Sequence, residues 1–221
     1  MDNLTLIIPA KNEKESLPIV LEELKPQNLN IIIVLEPTDI ETINSIKNYK
    51  CKIVKQINKG YGDAIILGIE NVETEYYCIF NADGSFDPKE LKNMMNYTIS
   101  KNLDFLFGSR YMTNGGSEDD TIVTFIGNKI FSFLGNLLFR LNISDILYTY
   151  VIGSTLKSRY LNLKSKDFTF CVELPIKSKK NNFKLGDISS YERKRIAGRK
   201  KVNAFKDGFL ILMAIIKLYF S

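Results

Sequence analysis

The 221-residue chain contains no histidine. Its absence removes the side chain that most often acts as a general base near neutral pH, and the usual nitrogen ligand for metals. Acid–base and metal chemistry therefore falls to carboxylates, lysines, tyrosines or groups on a substrate. Cysteine is scarce: three residues, odd in number and widely spaced, show neither zinc-type spacing nor a disulfide framework. Cys78, inside an apolar run, reads as a small core residue. No internal repeat or low-complexity segment is present. The first residues carry no basic leader and no apolar segment long enough to act as a signal, because residues 4–9 already read as a strand. The expectation is a protein made and kept in the cytoplasm.

The apolar fraction of 45% and charged fraction of 25% are those of a globular chain. The length allows one sizeable core with an appendage. The net charge of +5 is modest but uneven, since Arg193, Lys194, Arg195, Arg199, Lys200 and Lys201 crowd one stretch. Such a run marks either an anionic partner, such as a lipid phosphate, a membrane surface or a nucleotide, or a solvated face. Nucleic acid is disfavoured, because these residues are not interleaved with aromatics in a recognised motif.

Residues 4–8, 31–35, 51–57 and 76–80 read as strands, with amphipathic helical patterns at 15–24, 40–49 and 61–72. Pro88 suits the first turn of a helix over 89–100, followed by a strand at 104–108. Repeated βα units predict a parallel sheet with helices on both faces. From Thr121 the pattern changes. Residues 122–141 are apolar but interrupted by Gly127, Asn128, Lys129, Gly135, Asn136 and Arg140. That pattern predicts a helix in a core or on a lipid surface rather than a membrane span. Residues 209–220 are apolar apart from Lys217 and too short to cross a bilayer. The neighbouring basic run favours attachment to anionic headgroups; core packing or a homo-oligomer contact is the other use of such faces.

The most informative segment is N-A-D-G-S-F-D-P, residues 81–88, directly after the fourth strand. Acidic side chains there lie in the crevice where open α/β sheets bind ligands. Asp83 and Asp87 are hard oxygen donors suited to Mg²⁺ or Mn²⁺ shared with substrate phosphates. The same residues also make an ordinary turn. Lys59, Gly60 and Gly62 open a helix, where glycines permit close approach of a ligand and lysine can meet an anion. A dinucleotide fingerprint is excluded, because its third glycine would fall at Ile65. Glu173 sits among Phe168, Phe170, Val172 and Leu174, a setting that would raise its pKa; a helical ion pair with Lys177 is the alternative.

I-P-A-K-N-E (residues 8–13), N-K-G-Y-G-D-A-I (58–65), N-A-D-G-S-F-D-P and G-S-R-Y (108–111) occur in the order found in family-2 glycosyltransferases. Asp145 in S-D-I-L-Y, Phe170 and Glu173 in F-x-x-E, and S-Y-E-R-K-R-I-A-G-R-K-K (190–201) extend the likeness over residues 4–207. The set resembles the branch that includes dolichol-phosphate mannosyltransferase and other polyprenyl-phosphate glycosyltransferases. The resemblance implies a GT-A type α/β fold: a Rossmann-like sheet with helices on both faces and a C-terminal helical, basic extension. Residues 1–201 would be the catalytic domain and 202–221 an apolar, interfacial helix.

It further implies inverting transfer of a hexose from a UDP- or GDP-hexose, with Mg²⁺ or Mn²⁺, at the inner face of the membrane. The acceptor would be a polyprenyl phosphate, or alternatively a saccharide hydroxyl. Pro9, Ala10, Asn12, Glu13, Glu36, Lys59, Gly60, Asn81 and Ala82 would bind the nucleotide sugar, and Asp83 with Asn81 the metal. Arg110, Arg193, Arg195 and Arg199 would meet the acceptor phosphate, Arg110 or the leaving diphosphate. Asp145 or Glu173 would serve as base for a hydroxyl acceptor. Three positions depart from the family pattern. Leu35 replaces an Asp before Glu36, Asn81 replaces the first Asp of D-x-D, and Glu118-Asp119-Asp120 stands where the lipid-phosphate enzymes carry an arginine. A non-catalytic sugar-nucleotide binding protein, degenerate at Asn81, is the reading from another class.

Overall fold

The computed structural model describes residues 1–198 and 203–220. Strand and helix alternate from the start: β1 (Leu4–Ala10), α1 (Leu17–Leu24), β2 (Asn30–Leu35), α2 (Ile40–Ile46), β3 (Lys52–Lys55), α3 (Tyr61–Glu70), β4 (Tyr76–Ile79) and α4 (Glu90–Ser100). There follow β5 (Phe105–Ser109), β6 (Gly116–Ser117), α5 (Ile122–Phe139), β7 (Val151–Ser154), α6 (Thr155–Tyr160) and α7 (Phe170–Lys180). The described chain closes with β8 (Leu185–Ser189), β9 (Tyr191–Glu192) and α8 (Ala204–Phe220).

Seven strands form one sheet in the order β3-β2-β1-β4-β7-β5-β8, and β6 pairs with β9 separately. The sheet is mixed rather than parallel throughout, because β7 runs antiparallel to both β4 and β5. The strand pattern alone predicts only βα units; β7 arrives from the far side after α5, and its direction is set by that long connection. Pro88 also lies one position before the N-cap Lys89 and not inside the first turn of α4.

β1 is apolar apart from Thr5 because it is covered on both faces. Its alternate side chains Leu4, Leu6 and Ile8 join Leu17, Val20, Leu21 and Leu24 of α1 and Leu91 and Met94 of α4. Ile7 points the other way, into a second core with Ala64, Ile65 and Ile69 of α3 and Val172 and Ile176 of α7. Helix α3 lies very close on this strand: a Cβ added to Gly68 would stand 2.3 Å from Ile7 Cγ2.

The reciprocal hydrogen bonds between Thr121 and Thr124 cap α5. It packs against α8 and α7, but the outward residues Ile122, Ile126, Ile130, Phe133 and Leu137 are exposed. On α8, Phe205, Phe209, Met213, Ile216 and Phe220 are exposed likewise. By length and composition α5 is the one described helix long and apolar enough to cross a membrane.

Gly68→Ala should destabilise the protein by roughly 1–3 kcal/mol, since the fully buried, β-branched Ile7 has little freedom to give way. Urea unfolding measures this; an unchanged midpoint would mean that α3 can shift off β1.

Candidate active site

The carboxyl ends of β1, β2 and β4 point to one rim of the sheet, and a cleft of about 450 Å³ opens there. Phe80, following β4, is anchored edge-on to Phe86 and Tyr150, with ring centroids 5.8 and 5.5 Å away. That aromatic cluster fixes where the next turn begins. In the turn, Asp83 Oδ1 accepts the Ser85 N–H at 3.1 Å, and Asn81 Nδ2 donates to Ser85 Oγ at 3.1 Å. The amide nitrogen of Asn81 is thereby committed, which leaves its carbonyl oxygen as the ligand atom it can offer. Gly84 adopts φ +82° with Ile196 packed directly against it.

A C-terminal strap crosses this turn. Arg193 N–H donates to Ser85 O and Ile196 N–H to Asp83 O, each at 2.8 Å. Between them, the Arg195 guanidinium lies 3.4 Å from Asp83 and 3.3 Å from Asp119. Arg193, expected at an acceptor phosphate, instead clamps the turn: it donates to Gly84 O and Phe86 O and pairs with Glu23 at 2.8 Å. Arg199 lies outside the described residues.

Arg110, just past β5, is nearly buried and saturated. It donates to Asp145 through Nε at 2.7 Å and Nη2 at 3.1 Å, and to Glu192 at 3.2 Å. Its Cζ also sits 4.7 Å from the Tyr148 ring. Burial pulls the guanidinium pKa down, but Asp145 and Glu192 push it up by more, so Arg110 stays charged. Arg110 and Glu192 both line the cleft. Asp145 does not: fully buried, it is the anchor beneath Arg110.

Glu173 is also off the cleft wall. Its carboxylate accepts the N–H groups of Lys164 and Ser165 and pairs with Lys177 at 2.7 Å. Burial raises its pKa, yet the Lys177 contact and the two backbone donors outweigh it and leave a net lowering. This corrects the expectation of a raised value in favour of the alternative ion pair with Lys177, to which the Lys164 and Ser165 amides are added.

Of the nucleotide-side residues, Pro9, Ala10, Glu13, Glu36, Gly60, Asn81 and Ala82 line the cleft; Asn12 and Lys59 do not. Asn12 takes a left-handed turn, φ +52°, with its N–H on Asp39. The glycines at the start of α3, Gly60 at its N-cap and Gly62 in its first turn, are tightly packed. A Cβ on Gly60 would meet Lys166 O at 2.1 Å, and one on Gly62 would meet Ser165 O at 2.2 Å.

Sequence reasoning missed Lys11, whose ammonium pairs with Glu36 at 2.9 Å and holds that carboxyl below its ordinary value. It also missed the stacked pair Tyr61 and Phe168, 4.8 Å apart in the wall, and Asp119, Asp120 and Glu192. Lys11 and Glu192 lay within quoted motifs; no local signal marks Phe168. Seven described carboxylates against three described cations give the wall a formal charge of −4. Among the described residues the wall is therefore acidic, a potential that a counter-cation would offset for an anionic nucleotide. Asp83, whose carboxylate already draws a guanidinium, and Asn81 form a hard-oxygen pair that fits a divalent ion completed by phosphate oxygens. Among the described residues no cluster of three or more acidic, cysteine or histidine side chains forms a closed metal cage.

Because folding lowers the Glu173 pKa, its pairing contributes stability above the ordinary value of 4.5 and loses it as pH falls through the lower folded value. Glu173→Gln should cost roughly 2 kcal/mol at pH 7, and its gap from wild type should narrow in urea titrations below that pH. A pH-independent gap would remove ionisation as the cause.

Comparison with known proteins agrees with this geometry. Residues 5–156 match the glycosyl transferase family 2 profile. An uncharacterized protein of Methanocaldococcus jannaschii is 24% identical over 96% of this chain and 92% of its own length. A UDP-N-acetylglucosamine--dolichyl-phosphate N-acetylglucosaminyltransferase of Methanococcus voltae is 27% identical, covering 83% of this chain and 82% of the relative. Glucosyl-3-phosphoglycerate synthase of Mycobacterium tuberculosis superposes with a TM-score of 0.79 at 10% identity, over 98% of this chain and 80% of that one. The same enzyme in complex with Mn²⁺, UDP and phosphoglyceric acid gives 0.77 at 12%, over 99% and 78%. At such identity the superposition establishes the fold, which is of the GT-A type. Sequence profile and architecture together place the chain in glycosyl transferase family 2.

Proposed function

We propose that this glycosyltransferase moves a hexose, with inversion, from a UDP- or GDP-hexose to a polyprenyl phosphate at the inner surface of the membrane. The observation that carries the reading is the course of the cleft wall. It runs from the sheet rim to Thr124 and Asn128 of α5 and Ala204 and Ile211 of α8, the two helices whose outer faces are apolar and exposed. A donor seated at the rim would thus lie beside a surface suited to lipid. The Methanococcus voltae relative, named for a dolichyl-phosphate acceptor, supports the same acceptor class.

Charge on the two helices agrees with an interfacial placement. The only charged side chain of α5 is Lys129; α8 carries Lys206, Asp207 and Lys217. An apolar face with a cationic excess favours anionic headgroups. Thr124 and Asn128 face the cleft while α5 packs on α7 and α8, so α5 would lie in the interface and not cross it.

Asp83 and Asn81 would hold Mg²⁺ or Mn²⁺, which when bound neutralises the departing diphosphate. Lys11 and Arg195 are the remaining described cations able to face phosphate, since Arg110 is committed to Asp145 and Glu192. Arg110 would instead fix the acceptor wall by holding Glu192. A phosphate acceptor is already anionic near neutral pH, so the reaction needs no histidine. The acidic wall residues Asp119, Asp120 and Glu192 favour a second reading, a saccharide hydroxyl as acceptor, with one of these carboxylates taking the proton.

Incubation with radiolabelled donor and polyprenyl phosphate should carry label into the organic phase; label confined to the aqueous phase would exclude the lipid acceptor. Asp83→Ala should abolish metal-dependent donor binding while leaving the thermal midpoint nearly unchanged. Replacing Phe133 and Phe209 by serine should weaken flotation with anionic vesicles about tenfold for each ring withdrawn, and equal flotation would remove the membrane from the proposal.

A further inference from the structure

Arg195 is tied to two carboxylates and held well by neither. Its Nη2 lies 3.4 Å from Asp83 and 3.3 Å from Asp119, longer than the about 2.7–2.9 Å of a strong charge-assisted bond. The Arg110 Nε contact to Asp145, at 2.7 Å, shows what this fold achieves where a guanidinium is locked. The backbone around Arg195 is pinned on both sides, by Arg193 N–H on Ser85 O, Lys194 N–H on Glu118 and Ile196 N–H on Asp83 O. Motion is therefore confined to the side chain, which needs only rotation about its own bonds to leave Asp83 while keeping Asp119.

We infer that Arg195 is a displaceable counter-ion: it occupies Asp83 until a divalent cation arrives, then turns onto the diphosphate that accompanies that cation. The inference rests on the reading of Asp83 as metal ligand. A guanidinium and a divalent ion cannot share one carboxylate without strong mutual repulsion, and Asp119 provides the second anchor that keeps Arg195 at the cleft. The same side chain thus opposes metal binding in the empty site and supports nucleotide binding in the loaded one. Toward the metal Arg195 acts only through Asp83; toward the diphosphate it is a direct binding residue.

The test is a titration of the full chain with Mn²⁺ alone, followed by the electron paramagnetic resonance of the free ion, for wild type, Arg195→Gln, Arg195→Lys and Asp83→Asn. Arg195→Gln should bind Mn²⁺ about threefold to fivefold tighter than wild type, the worth of one partly exposed ion pair. At saturating Mn²⁺ it should bind UDP or GDP more weakly. Arg195→Lys keeps the charge and should stay near wild type in both. A purely structural arginine would give weaker or unchanged Mn²⁺ binding in Arg195→Gln, and that result overturns the inference. Wild-type Mn²⁺ affinity in Asp83→Asn would instead overturn the placement of the metal on Asp83. Loss in Asp83→Asn with no gain in Arg195→Gln leaves that placement standing and rejects the counter-ion role.

Discussion

Burial of the Arg110 guanidinium between Asp145 and Glu192 is the constraint from which the cleft takes its shape. Asp145 is 35 residues away in sequence and Glu192 is 82 away, so one side chain binds the end of β5 to the approach to β7 and to the strap after β8. Taking such charges out of water is expensive, and removing one partner strands another inside. The three segments therefore keep one mutual arrangement. Tyr148, with its ring over the guanidinium, and Ser117, bonded to Glu192, extend the network to both sides.

That arrangement decides the electrostatics of the cleft. With Arg110 neutralised by its own partners, the described wall is an acidic surface whose remaining cations, Lys11 and Arg195, each sit on a carboxylate. Positive charge brought to such a wall offsets its negative potential toward an anionic ligand.

The helices α5 and α8 solve a different problem. A helix apolar on both its packed and its outer face exceeds what a core alone requires. Inner residues such as Ile211 and Ile215 close the second core of the sheet, while the outer stripes stay exposed. The same two helices complete the cleft wall, so the apolar surface and the reaction centre share one structural element.

The βα alternation was legible in the sequence because strand and helix periods are local, and so was the placement of Asp83 after β4 and of Glu36 after β2. The ordered motifs identified the family because each is a short local pattern, most of them at the end of a strand or the start of a helix. The Lys177 pair of Glu173 was legible from helical spacing. By contrast, Arg110, beneath which Asp145 lies, and the Lys164 and Ser165 amides that also meet Glu173 are chosen by packing and not by neighbours in the chain. Direction of β7, the clamp formed by Arg193 and the meeting of Arg195 with Asp119, 76 residues apart, were likewise settled only in three dimensions. Local residue patterns fix which elements form and which turns face the rim. Which charges meet across that rim depends on long-range burial, where desolvation leaves each ionised group no choice but the partner the fold delivers.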